Sequence, residues 1–190
     1  MLKYLVFVGA VVSFASALYY SWLTLKGRVQ PNRVTWFLWF LAPMIAAVAA
    51  FSAGVTWAAV PVFMSGFDPL VVFVASVVTR HGSWKITRFD LICGGISVLA
   101  LIFWVLSRNP VLAIIFSMAA DFLAGVPTLS KAWTNPETEH VGPYIGGTFA
   151  AATAFFAVDA WNFVSLAFPV YLLLFNLVLW LFVRRAGHER

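Results

Sequence analysis

The sequence predicts an all-α integral membrane protein: seven transmembrane helices arranged as two parallel three-helix bundles joined by a linker helix. Three observations carry this expectation. Apolar residues make up 63% of the chain and charged residues 10%, against roughly 25% charged in a soluble domain, and the mean hydropathy is +0.93. Apolar runs of membrane-spanning length follow one another with short connections, leaving almost no room for a soluble domain. An offset of 105 residues also aligns the beginning of the chain with its last third.

A helix needs about 20 mostly apolar residues to cross the hydrocarbon core. The spans then fall at 4–25, 34–52, 55–78, 90–107, 110–132, 141–158 and 161–183. Sheet is not expected, because the runs are continuous rather than alternating and are too long for barrel strands. The first run has a lysine, an apolar core and Ala15-Ser16-Ala17, the pattern of a secretory signal with its cleavage site. It continues apolar through Leu23, and the repeat needs it, so it is expected to remain as a helix. The third run holds Pro61, Gly66, Asp68 and Pro69, which predicts a helix kinked or broken near mid-depth, because proline removes a backbone donor. The fourth contains Cys93 beside Gly94 and Gly95. A single cysteine excludes an internal disulfide and a cysteine-rich metal site, and it reads as packing. In the sixth, Gly142, Gly146 and Gly147 suit close helix contact.

Lysines and arginines set the orientation. Lys26, Arg28, Arg33, Arg80, Lys85, Arg88, Lys131, Arg184, Arg185 and Arg190 fall on the side reached after the odd-numbered helices, and only Lys3 and Arg108 on the other. The positive-inside rule then predicts an outside N-terminus and an inside C-terminus. This distribution also explains the net charge of +5 without a nucleic-acid partner. Trp22, Trp57, Trp104, Trp133, Trp161 and Trp180 fall near helix ends, where amphipathic rings suit the headgroup level.

The 105-residue offset aligns Ala15 with Ala120, Leu18 with Leu123, Lys26 with Lys131 and Pro31 with Pro136, and it pairs Ser16 with Asp121. It resumes where Ala46, Ala47, Ala49 and Phe51 meet Ala151, Ala152, Ala154 and Phe156. A single-span connector gives both halves the same orientation, the pattern of parallel repeats. The expected units are 1–80, a linker helix within 81–108, and 109–190 with a short cytoplasmic tail.

Val126-Pro127-Thr128-Leu129-Ser130-Lys131 with Asn135-Pro136, and Gln30-Pro31 with the helix after it, resemble the PQ-loop superfamily, which includes the SWEET (MtN3-like) sugar transporters. Thr128 stands where that signature has glutamine, and Trp22 replaces the proline of the first copy. The stretch from Gln30 to Trp39 also resembles the paired-tryptophan helix of nicotinamide riboside transporters, and the chain as a whole resembles a group of uncharacterised bacterial membrane proteins. The resemblance implies a transporter in which two bundles rock about proline-weakened helices, with the substrate between them. SWEET proteins are thought to be uniporters, while some PQ-loop relatives are proton-coupled through an intramembrane aspartate.

The residues themselves point to a site at mid-depth. Asp68 and Asp121 sit about a dozen residues from a span end, hence near the centre at 1.5 Å per residue. A carboxylate there costs roughly 2.5–3.5 kcal/mol on insertion scales, and no lysine or arginine lies at comparable depth. Both acids are expected to be protonated or to face a wet cavity, the alternative being a protonated acid bonded to a neighbouring helix backbone. Asn176 and Asn162 are candidate hydrogen-bonders to substrate. Trp39 and Tyr20 could present an aromatic face to a sugar or base, with bundle packing as the alternative for each. Pro43, Pro69, Pro127 and Pro143 are the hinge candidates. Glu137, Thr138, Glu139 and His140 read as a solvated acidic turn, with Thr138 a candidate cap.

No catalytic or metal constellation is expected and no cofactor. The expected function is transport of a small polar solute, sugar-like as a first guess, by alternating access and with proton linkage left open. The alternatives are a nicotinamide riboside-type vitamin transporter or a non-transporting sensor or scaffold. The expected location is the plasma or inner membrane, and the expected partners are the lipid bilayer and the solute, with homo-oligomerisation left open.

Overall fold

The computed structural model describes residues 4–52, 60–79, 84–107, 109–158 and 161–185. Among them the chain forms seven α-helices and no strand: α1 (Leu5–Leu25), α2 (Arg33–Ser52), α3 (Val60–Val78), α4 (Arg88–Leu106), α5 (Pro110–Thr134), α6 (Gly142–Ala154) and α7 (Phe163–Arg184). The start of the third predicted span, before residue 60, lies outside the described residues. Four helices are long and apolar enough to cross a membrane, those at Leu5–Leu25, Arg88–Leu106, Val111–Thr134 and Ser165–Arg184, while Arg33–Ile45 and Phe63–Val78 are shorter apolar helical stretches.

Local chemistry sets several boundaries. Thr87 and Asp90 form a capping box at the start of α4, which satisfies two backbone donors reciprocally. Asn109 caps α5 ahead of Pro110, a placement in which proline sacrifices no helical bond. Asn162 caps α7 by accepting from the Ser165 amide at 3.0 Å. The sixth helix is shorter than expected: its last turn, Phe155–Ala157, tightens into a 3-10 helix. α2, α3, α5 and α7 each keep an internal proline, at Pro43, Pro69, Pro127 and Pro169. Each frees the carbonyl four residues earlier.

The packing is regular. α3 packs against both α1 and α2, and α7 packs against both α5 and α6. Between these groups α1 meets α6 and α2 meets α5, while α4 lies against α2 and α5. Exchanging helices 1, 2 and 3 for 5, 6 and 7 maps the first six of these contacts onto themselves. Small residues bring the groups together. A Cβ on Gly146 would lie 2.6 Å from the Ser16 hydroxyl, and one on Gly9 would meet the Ala150 Cα at 3.0 Å, so α1 and α6 pack almost backbone to backbone.

The two ends differ. All eight lysines and arginines among the described residues lie where α1, α3, α5 and α7 finish. Contacts gather these termini together: Arg33 donates to the Ser76 carbonyl, Asn32 to Asp90, and the Gln30 amide to the Thr138 carbonyl. Two apolar clusters fill this basic end. One is centred on Tyr20, Trp36 and Val72, the other on Tyr144, Phe175 and Leu179, and Trp39 packs against both. In the opposite half a smaller cluster of Ala100, Leu101 and Ala120 packs α4 against α5, and the other helices leave space between them.

Candidate functional site

A cavity of about 510 Å³ occupies that half. α1 contributes Val6, Ala10, Ser13 and Ala17, a spacing of four, three and four that keeps them on one helix face. Opposite them α6 presents Gly147, Ala150 and Ala154, also small. α3 and α5 line the cavity with positions up to mid-helix, among them Asp68 and Asp121, and α7 with positions from Phe168 to Asn176, just past its middle. The cavity therefore runs from the end where these helices begin toward the centre. Its floor is aromatic. Trp36, Trp39, Tyr144 and Phe175 reach it, with Trp36 edge-on to Trp39 and Trp39 edge-on to Phe175 at centroid distances of 5.3 and 5.9 Å.

The polar groups of the cavity come from both halves of the chain. Asp68 on α3 is 7% exposed, its Oδ1 has no hydrogen-bond partner among the described residues, and Ser13 faces its carboxylate from α1. Asp121 on α5 accepts at Oδ2 from the Tyr171 hydroxyl at 2.7 Å. The Asn176 amide donates to the Leu172 carbonyl one turn earlier, and its Oδ1 sits against Gly147, where a Cβ would lie 2.5 Å away. Trp36 is buried, and its indole Nε1 has no acceptor among the described residues. Among the described residues no lysine, arginine or histidine lines the cavity. Backbone carbonyls around Asp121 are tied to neighbouring helices: Ala120 accepts from Ser97, Asp121 from the Trp39 indole and Ala124 from Thr35. These cross-helix bonds hold the segment that carries the acid.

Beneath the floor a buried charged network joins the two halves. Lys131 Nζ and Glu139 Oε1 are 2.6 Å apart, with side chains 1% and 0% exposed. Glu139 Oε2 accepts from Tyr20 at 2.7 Å and from Tyr144 at 2.9 Å. Lys131 also donates to the Gln30 carbonyl. The network thus links α1, the α1–α2 connection, α5 and α6. A buried carboxylate needs a countercharge and further hydrogen bonds, and Glu139 has both. Beside it His140 accepts from the Gly142 amide through Nδ1 at 2.9 Å. Burial pushes this imidazole below its ordinary value, against the opposing pull of Glu139.

Of the residues predicted from the sequence, the cavity collects Asp68, Asp121, Trp39 and Asn176, together with Pro43, Pro69 and Pro143. Pro143 occupies the first turn of α6, where its missing N–H breaks no intrahelical bond, so it starts a helix instead of weakening one. Pro127 is buried inside α5 away from the cavity. Tyr20 is fully buried in the network below the floor, and Asn162 is the exposed cap of α7. The turn at 137–140 is not a solvated acidic loop: Glu139 is buried, and the Thr138 hydroxyl bonds back to the Asn135 carbonyl instead of capping α6. Residues that sequence reasoning passed over are Lys131, Glu139, Tyr144 and Tyr171. Their partners are up to 119 positions apart, and only the lysine and the glutamate gave a signal, as opposite charges flanking one short turn. Comparison with known proteins finds no matching family model, no matching curated protein and no matching solved structure.

Proposed function

We propose that the protein transports a small polar solute by alternating access between a bundle of α1–α3 and a bundle of α5–α7, with α4 as the linker. The observation that carries this reading is that Asp68 and Asp121, one from each bundle, line the same mid-molecule cavity. A scaffold would bury each acid against helix backbone, since an unsatisfied carboxylate at that depth has no other use. The pairing of α1 with α6 and of α2 with α5 supports a two-fold relation between the bundles, with an axis along the membrane normal.

In this state the cavity is closed at the basic end by its aromatic floor and by the Lys131–Glu139 network. The positive-inside rule assigns that end to the cytoplasm, so the cavity faces outward and solute enters from outside. Opening inward requires the network to part, and the internal prolines, Pro43, Pro69, Pro127 and Pro169, provide weakened points at which the helices bend. A proton on either aspartate offers a route to coupling.

The test is uptake by proteoliposomes over a panel of sugars, nucleosides and organic cations, with and without a pH gradient, comparing wild type with Asp121→Asn and Asp68→Asn. Saturable uptake lost in both variants is expected. Equal flux by wild type and both variants would remove the acids from the mechanism, and no flux of any solute would sink the transport reading.

A further inference from the structure

The composition of the cavity wall narrows the solute to one chemical class. Two carboxylates face a chamber that no lysine, arginine or histidine among the described residues lines. Asp121 is answered in part by the Tyr171 hydroxyl and Asp68 in part by Ser13, but Asp68 is buried with Oδ1 unpartnered among the described residues. A carboxyl taken out of water is stable when it is protonated or when its charge is paired, and a cationic solute would supply that pairing from outside the chain. The remaining wall agrees. Trp36, Trp39 and Trp104 line the same cavity, and the indole face is the aromatic surface that attracts cations most strongly.

Other solute classes fit less well. A zwitterionic amino acid would bring a carboxylate into a chamber with no cation to receive it. A sugar presents several hydroxyls, each needing a partner when desolvated, yet the bulk of the wall is alanine, glycine, proline and aromatic carbon. We propose that the solute is an organic cation without a carboxylate, an ammonium ion of about the size of choline, with its charge held by Asp68 and Asp121 and its apolar surface against the tryptophans. This inference rests on the reading of the cavity as a solute site.

The experiment is equilibrium binding to the full chain in nanodiscs, read by tryptophan fluorescence. The probes are tetramethylammonium, choline and tetraethylammonium, with 3,3-dimethyl-1-butanol as the uncharged isostere of choline and glucose as the neutral polar control. Choline is expected to bind saturably and at least about tenfold more tightly than its isostere, the scale set by cation–π and charge terms together. Asp68→Asn should weaken ammonium binding by on the order of a hundredfold, as for loss of one partner of a desolvated charge pair, and leave the isostere unchanged. No ammonium ion binding at least tenfold more tightly than 3,3-dimethyl-1-butanol, or glucose binding best, would overturn the inference. The isostere comparison uses wild-type protein alone, so it stands even if the variant fails to fold. Counterflow in proteoliposomes separates the two levels. Ammonium binding without flux supports the cation site and sinks transport; saturable flux of glucose but of no ammonium ion supports transport and overturns the cation.

Discussion

Replacing Lys131 by methionine leaves the Glu139 carboxylate buried, with two tyrosine hydroxyls but no countercharge. Breaking a buried pair by removing one partner costs about 3–5 kcal/mol. In a chain of 190 residues, each 1 kcal/mol moves the melting temperature by about 2–4 °C, so a fall on the order of 10 °C is expected. Glu139→Gln should produce a similar fall, because the Lys131 ammonium then keeps the Gln30 carbonyl and the Trp84 ring but no countercharge. The double variant, Lys131→Met with Glu139→Gln, removes both charges and retains a carboxamide oxygen for one of the tyrosines. Its loss should undershoot the sum of the single losses by at least about 2 kcal/mol, the signature of a coupled pair. Lys26→Met is the control: the repeat aligns Lys26 with Lys131, but Lys26 is exposed, and its removal should leave the melting temperature unchanged. The assay is thermal unfolding in detergent followed by tryptophan fluorescence. Additive losses, or a Lys131→Met shift no larger than that of Lys26→Met, would refute the account of the network as a buried, mutually dependent unit.

Gly9→Ala should destabilise by about 1–3 kcal/mol, the usual cost of overpacking, because its Cβ would press on Ala150 and Thr153 of α6; Gly95→Ala, exposed with nothing within 4 Å of the added Cβ, should be neutral or slightly stabilising in the same melting assay. Asp90→Ala removes the acceptor of Asn32, the Thr87 amide and the Thr87 hydroxyl, and a loss of about 2–3 kcal/mol is expected from the stranded Asn32 and the lost capping box. His140 has a folded pKa below its unfolded value, so folding favours the neutral ring. Its contribution to stability is full above the unfolded value of about 6.5 and is lost as pH falls from there through the folded one. Melting curves at successive pH values should therefore show wild type losing more stability than His140→Asn on acidification; parallel curves would remove His140 as a titrating element.

The helices and the two acids were legible in the sequence because bilayer depth constrains composition directly. A run of apolar residues admits few structures other than a helix, and Asp68 and Asp121 interrupt theirs where a carboxylate is costly. The chemistry at the basic end was much less legible. Glu137-Thr138-Glu139-His140 has the composition of a surface turn, and nothing local distinguishes Glu139, which is buried, from Glu137, which is exposed. The difference arises from Tyr20 and Tyr144, which belong to different helices and reach the same oxygen. Asn162 erred in the other direction. An asparagine beside an apolar run suggested a substrate contact, although a helix start three residues before a serine amide donor is also where asparagine caps, and that is the role it has.

The repeat explains the scaffold and, through its failures, the site. Ser16 stands where the second copy has Asp121, and it bonds to the Val12 carbonyl within its own helix, packing against Gly146 instead of facing the cavity. Lys26 is exposed where Lys131 is buried. The first departure puts a carboxyl of the second half on the cavity wall, and the second buries a lysine beneath its floor. With the copies unmatched, Lys131 of one half can engage the Gln30 carbonyl of the other, while Glu139 accepts from Tyr20. The floor is therefore underlain by one pair, Lys131 and Glu139, each member of which also bonds to the first half of the chain.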